Sequence, residues 1–374
     1  MKGRVVAIAG LVAGLTSAAF AQTLGAEAAR TYADFQNLGP HRAFAIAADG
    51  KGYLWAGSGG ADPATAVTSV LKSCADRSKS VCTLYAVNNI VLNGRDWKTA
   101  APPALPPIGR LRPESYWENK GPQAAAGLIV WSHGYMSGKN STESAPQGWV
   151  GRFTQADYDL YRFDREWIRD WPGDATQLAD AVRQAKAMGY RRVILAGQSA
   201  GAWVSLAATM RSAPVDGVIS VSAAHHGEVK NMRDVSVARS EWQQVVKGLK
   251  PGPRLVVVNF VGDSYDVGGR MDDARAAFTA SGAQGLVISD PEGFKGHGAG
   301  YDNSFARKFG PCIQAFNEKG VRQASGHIEA TVDVQHLAGR GVRLVGTEEY
   351  CGARNLFGRQ QPAAERNGDA RHLD

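Results

Sequence analysis

From residue 127 onward, short and largely apolar runs alternate with longer stretches in which apolar residues recur every three or four positions. The runs are LIVWSH (128–133), YDLYRF (158–163), RVILAG (192–197), GVISVSA (217–223), RLVVVNF (254–260) and GLVIS (285–289). Runs this short fit strands buried on both faces, and the segments between them fit the right-handed crossovers that join parallel strands. Between the second and third runs, Leu178, Ala181, Val182, Ala185 and Met188 line one face of a helix predicted from Asp174 to Met188 and ended by Gly189. Phe305, Phe309, Cys312, Ile313 and Phe316 do the same for Asn303 to Lys319. The pattern predicts an α/β fold built on a doubly wound, mostly parallel sheet.

The front of the chain reads differently. AFAIAAD (43–49) is a predicted strand, and Asp62-Pro63 is a helix cap followed by a proline at the first helical position. That helix carries Val67, Val70, Leu71 and Cys74 on one face, and CTLYAVNNIVL (82–92) supplies one or two strands. Residues 22–98 therefore form a small α+β module. In residues 99–126, Pro102, Pro103, Pro106, Pro107 and Pro113 exclude regular helix and central strand, leaving a connector or an edge segment. The α/β domain spans 127–356 with a C-terminal extension, and 357–374 form a polar tail.

The first 21 residues have the form of a secretory leader: Lys2 and Arg4, an apolar run from Val5 to Leu15, then small residues ending at Ala21. Eleven apolar residues are well short of the ~20 that span a bilayer. The reading is an exported protein, periplasmic or secreted, with no membrane partner once the leader is cleaved. Cys74, Cys82, Cys312 and Cys351 then default to disulfides. Pairing Cys74 with Cys82 and Cys312 with Cys351 keeps each bridge inside one module, and no C-x-x-C or H-x-x-x-H spacing supports a metal site. The formal net charge of +7 is scattered, with no basic stripe interleaved with aromatics, so nucleic acid is excluded as the expected partner.

The chemistry centres on Gly197-Gln198-Ser199-Ala200-Gly201. RVILA precedes it and AWVSLAATM follows, a strand-turn-helix order that projects Ser199 above the sheet edge while the glycines let helix and sheet approach. Two strands earlier, LIVWSHGYMSG opens into a glycine-bearing loop, so the Tyr135 and Ala200 N–H groups are candidates for an oxyanion hole. His133, at a strand end before the nucleophile, reads as a residue holding that loop and not as the base. In this architecture the chain order is serine, acid, histidine. Asp263 and Asp266 follow RLVVVNF, and His297 lies in the glycine-rich loop after GLVIS. Asp263 is the shorter reach, and the aspartate not used has Arg270 as a partner. His225 and His226 follow GVISVSA on the same edge and are candidates for lining a substrate pocket. As neighbours on a strand they are expected to point in opposite directions, which excludes joint metal chelation.

These residues resemble the α/β-hydrolase superfamily, and WSHGYMSG with AGQSAG and GHGAGY is most similar to its dienelactone-hydrolase-like and prolyl-oligopeptidase-like esterase branch. The resemblance spans about Gly127 to Gly320. It implies the α/β-hydrolase fold, no cofactor, and a triad of Ser199, Asp263 or Asp266, and His297. The chain departs from simpler members in the short segment where a lid would sit, the cysteine-bearing C-terminal extension and the N-terminal module. The expected function is an exported serine hydrolase that cleaves small-molecule carboxylic esters through an acyl-enzyme on Ser199. A serine peptidase or amidase is the nearest alternative, and a non-catalytic binding protein on the same scaffold is another. Oligomeric state is left open.

Overall fold

Asp62 does what its position before a proline predicts: its side chain accepts from Thr65 N and starts a helix from Pro63 to Ser78. A computed structural model describes this and the rest of residues 24–56, 62–135, 144–165 and 170–319. The leader reading at 1–21, the C-terminal extension with Cys351, and the polar tail lie outside the described residues, so the Cys312–Cys351 pairing does too.

The front of the chain runs α1 (Ala26–Gln36), β1 (Arg42–Ala47), β2 (Gly52–Ala56), α2 (Pro63–Ser78), β3 (Cys82–Val87), β4 (Ile90–Val91) and α3 (Trp97–Ala100). Its strands make an antiparallel sheet in the order β2-β1-β3-β4. Period-two alternation divides β1 between two small cores. Ala43, Ala45 and Ala47 face the α2 side, while Phe44 and Ile46 join Phe35 and Tyr32 of α1 on the other. A Cys74–Cys82 disulfide joins α2 to β3.

The second sheet begins inside the proline-rich segment: β5 (Leu111–Pro113) pairs antiparallel with β7 (Tyr158–Phe163) at the sheet edge, ahead of residue 127. The other strands are β6 (Gly127–Ser132), β8 (Val193–Gln198), β9 (Gly217–Val221), β10 (Arg254–Asn259) and β11 (Gln284–Ser289), all parallel. The order is β11-β10-β9-β8-β6-β7-β5. Both faces are covered, which is why each strand reads as a continuous apolar run. Along β8, Val193 and Leu195 face a core with α5 (Trp171–Ala187), α6 (Ala200–Met210), α7 (Val235–Lys247) and α8 (Arg270–Ser281). Ile194 and Ala196 face the core of α4 (Val150–Gln155) and α9 (Asn303–Lys319).

Helix α5 starts at Trp171, three residues before the predicted Asp174. Asp170 caps it by accepting from Gly173 N, and Pro172 fits the first turn, where no N–H is needed. It ends at Ala187, and Met188, expected on the core face, is 41% exposed. From β6 the chain steps outward to β7, then returns across β6 to β8 and continues the other way. The C-terminal ends of β6 and β8 thus flank the point where the winding reverses, the place where an open α/β sheet leaves a crevice.

Candidate active site

One residue separates β8 from α6. Ser199 takes φ 56° and ψ −121°, a conformation L-residues rarely adopt and one that the surrounding structure must enforce. Its N–H donates to Val221 O, and its carbonyl accepts from Ala224 N and Trp203 N. The flanking glycines are obligatory. A Cβ on Gly201 would collide with Ser132 O, and one on Gly197 would lie 2.5 Å from Gly201 C.

The Ser199 hydroxyl lies 2.9 Å from His297 Nε2. On the far side of the ring, Nδ1 is 2.8 Å from Asp263 Oδ1 and 3.0 Å from Oδ2. With Asp263 ionised, Nδ1–H donates to the carboxylate and Nε2 is left to accept the serine proton. The Asp263 side chain is fully buried. A local turn fixes it: its N–H donates to Phe260 O, and its Oδ1 also accepts from Tyr265 N at 2.9 Å. The His297 loop is held by Gly296 N donating to Val261 O and by Gln198 Nε2 donating to the His297 carbonyl.

Asp266 is in the same turn but faces elsewhere. It accepts from Asn259 Nδ2 at 2.6 Å and Gly268 N at 2.9 Å, and lies 3.5 Å from Arg270 Nε. The geometry therefore joins Asp263, and not Asp266, to the imidazole.

The loop after β6 lies against the serine. A Cβ on Gly134 would sit 3.2 Å from Ser199 Cβ, and Tyr135, the next residue, is 48% exposed at the surface. Ala200 opens α6, whose first-turn N–H groups have no intrahelical acceptors. His133 is buried, and burial, aided by Arg165, pushes its ring down to about 3. Its Nδ1 is 2.6 Å from Gly134 O and its carbonyl accepts from Arg165 Nη2 at 2.7 Å, so it belongs to the loop's support. Sequence reasoning missed Arg165, which reaches the loop from the end of β7. No local spacing signals that contact.

His225 and His226 do not point apart. They lie past the end of β9, where strand alternation no longer applies, and their ring centroids are 5.1 Å apart around Trp203. His226 Nε2 is 3.1 Å from Glu241 Oε2, which also accepts from Trp171 Nε1. The pair stands in an aromatic cluster between α5, α6 and α7.

A buried charge network joins the two sheets beside this loop. Glu114 Oε2 is 3.1 Å from Arg162 Nη1, and its Oε1 is 3.4 Å from His41 Nε2. Arg162 also contacts Asp164 at 3.1 Å and donates to Ser144 O. Burial alone would raise the Glu114 carboxyl, but Arg162 and His41 outweigh it and hold it at about 2 against an ordinary 4.5. Because the folded value is depressed, this contribution is complete above pH 4.5 and drains away as pH falls toward 2. Glu114→Gln is expected to cost about 3 kcal/mol at neutral pH, since it leaves Arg162 short of a partner. Urea midpoints of the two proteins should converge on acidification, and a gap that stays constant with pH contradicts the assignment.

No protein-family model matches the chain, and no curated protein matches its sequence. Among solved structures it is similar to a truncated form of a carbohydrate esterase from gut microbiota, with 15% identity over 56% of this chain and 90% of that one, TM-score 0.42. It is similar to a Bacillus licheniformis lipase in mature form, with 16% identity over 57% and 99%, TM-score 0.37. It also resembles a Mycobacterium tuberculosis puromycin-hydrolyzing peptidase, with 14% identity over 55% of this chain, TM-score 0.39, and spans only 36% of that peptidase. Likenesses this distant carry nothing about activity. The architecture is read from the chain's own strand order and from the turn at Ser199.

Proposed function

We propose that this chain, which has the α/β-hydrolase fold, is a serine hydrolase that cleaves carboxylic esters of small molecules through an acyl-enzyme on Ser199. The observation that carries this reading is the unbroken hydrogen-bonded chain from Ser199 Oγ through the His297 ring to buried Asp263, set at a strained turn on the sheet's C-terminal edge.

In the proposed reaction, His297 Nε2 takes the hydroxyl proton as Oγ attacks the acyl carbon. The carbonyl oxygen becomes an oxyanion and accepts from the Tyr135 and Ala200 N–H groups, each such donor worth ~3 kcal/mol in the transition state. The imidazolium then protonates the leaving alcohol oxygen, the C–O bond breaks, and the acyl group stays on Oγ. Water repeats the sequence: His297 takes its proton, the second tetrahedral intermediate collapses, and Oγ leaves with that proton as the free acid departs. Asp263 stays ionised and holds Nδ1–H.

Export is part of the proposal, supported by the leader-like first 21 residues and by a disulfide of the kind that persists in oxidising compartments. Among the described residues no helix is long and apolar enough to cross a membrane. A fluorophosphonate probe tests the nucleophile, with labelling expected at Ser199 in a tryptic digest. Folded protein that takes up no probe overturns the enzyme reading in favour of a binding protein. p-Nitrophenyl esters assayed beside peptide anilides test the substrate class, and faster turnover of the anilides replaces esterase with peptidase.

A further inference from the structure

The Tyr265 ring lies on the His297 ring, with centroids 4.1 Å apart and planes 29° from parallel. We propose that Tyr265 is a positioning residue of the reaction, whose ring face holds the imidazole in line between Ser199 and Asp263 and stabilises the imidazolium that forms as the serine proton is taken. The inference rests on the serine-hydrolase reading above and adds a fourth side chain to it.

Two backbone hydrogen bonds place the residue that carries the ring, independently of the imidazole. The Tyr265 N–H donates to Asp263 Oδ1 at 2.9 Å, so one turn presents both the carboxylate at the ring edge and the aromatic plane at the ring face. The preceding residue is pinned from outside, since Ser264 O accepts from Val229 N at 2.9 Å. An imidazole held only by two hydrogen bonds in its own plane can still tilt about the axis through them. An aromatic plane against one face opposes that tilt.

An aromatic face carries a negative quadrupole, which attracts a cationic imidazole more strongly than a neutral one. The protonated state gains more, and that state develops along the reaction, so the contact favours the transition state over the ground state.

The charged groups near the ring are Asp263 at Nδ1 and Lys295, two residues earlier in the same loop, whose aliphatic chain lies over Gly262. Beyond the Tyr265 ring stand Glu228 and Lys230, paired with each other at 2.8 Å. Asp266 is turned toward Arg270. Glu228, Asp263 and Lys230 interact electrostatically with Tyr265, and Tyr265→Leu and Tyr265→Phe both remove its hydroxyl, so the comparison between them isolates the ring face.

Tyr265→Leu and Tyr265→Phe, assayed for ester hydrolysis as full-length protein with thermal midpoints measured alongside, decide the matter. Leu is expected to lower kcat by ~3- to 30-fold with KM unchanged. It should also move the acid limb of the kcat/KM profile to lower pH, because an imidazolium without the aromatic face gives up its proton more readily. Phe keeps the face and should stay within about twofold of wild type. A Leu variant with wild-type kcat and acid limb overturns the proposal. So does a Phe variant as impaired as Leu, which moves the role to the hydroxyl, and so does a loss of kcat with no movement of the limb, which marks a merely structural contact. Failure of the underlying reading looks different: the wild-type protein itself would not turn over esters or take up the probe.

Discussion

Ser199→Ala is expected to lower kcat for p-nitrophenyl ester hydrolysis by ~10⁴- to 10⁶-fold, the usual cost of deleting a triad nucleophile. The fold should be left intact. Serine at a helix start ordinarily caps the first turn with its hydroxyl, and losing the cap costs ~1 kcal/mol. Here Ser199 makes no side-chain cap bond, and its hydroxyl is directed at His297. Alanine has the same Cβ, so the positive-φ backbone meets no new obstruction. A circular dichroism spectrum and thermal midpoint like those of the parent, together with collapsed turnover and lost probe labelling, are the results that assign the role. Ester turnover near the parental rate would remove it.

The second large effect separates two aspartates in one turn. Asp263→Asn should lower kcat by ~10⁴-fold, because an amide presents its N–H₂ to Nδ1 and favours the tautomer whose Nε2 cannot take the serine proton. Asp266→Asn should leave kcat within a few-fold and appear instead in the thermal midpoint. That carboxylate sits beside the buried Arg270, which also donates to Ala223 O and stacks its guanidinium 5.7 Å from the Trp242 ring. Equal losses of kcat in both variants would mean that the two act as one unit and that the distances to the imidazole do not decide the role.

The second sheet was legible because of how it is buried. Strands covered on both faces leave nearly continuous apolar runs, and each run from LIVWSH to GLVIS overlaps an observed strand. The front sheet was half legible. Helix α1 is Ala-rich and polar with only Ala28 and Phe35 buried, and β2 is half-buried throughout, so neither announces itself. At the site, Ser199 could be named because its turn needs glycines two residues away on both sides, a constraint written locally. The choice between Asp263 and Asp266 depends on the path of one turn, which no spacing records. Arg165, Glu114 and Tyr265 reach their partners through the tertiary fold or through ring stacking, and neither leaves a periodic trace. The expectation that His225 and His226 point in opposite directions failed because strand alternation was extended past the end of β9.

The antiparallel edge strand β5 bears on how the protein can be handled. A fragment beginning at Gly127 would keep the serine, the histidine and both aspartates, yet it would uncover the outer ladder of β7 at Tyr161–Phe163 and remove Glu114 from Arg162. A bare strand edge of this kind invites edge-to-edge aggregation. The segment ahead of Gly127 thus closes the edge of the main sheet, and a chain shortened to residue 127 onward is expected to lose its solubility.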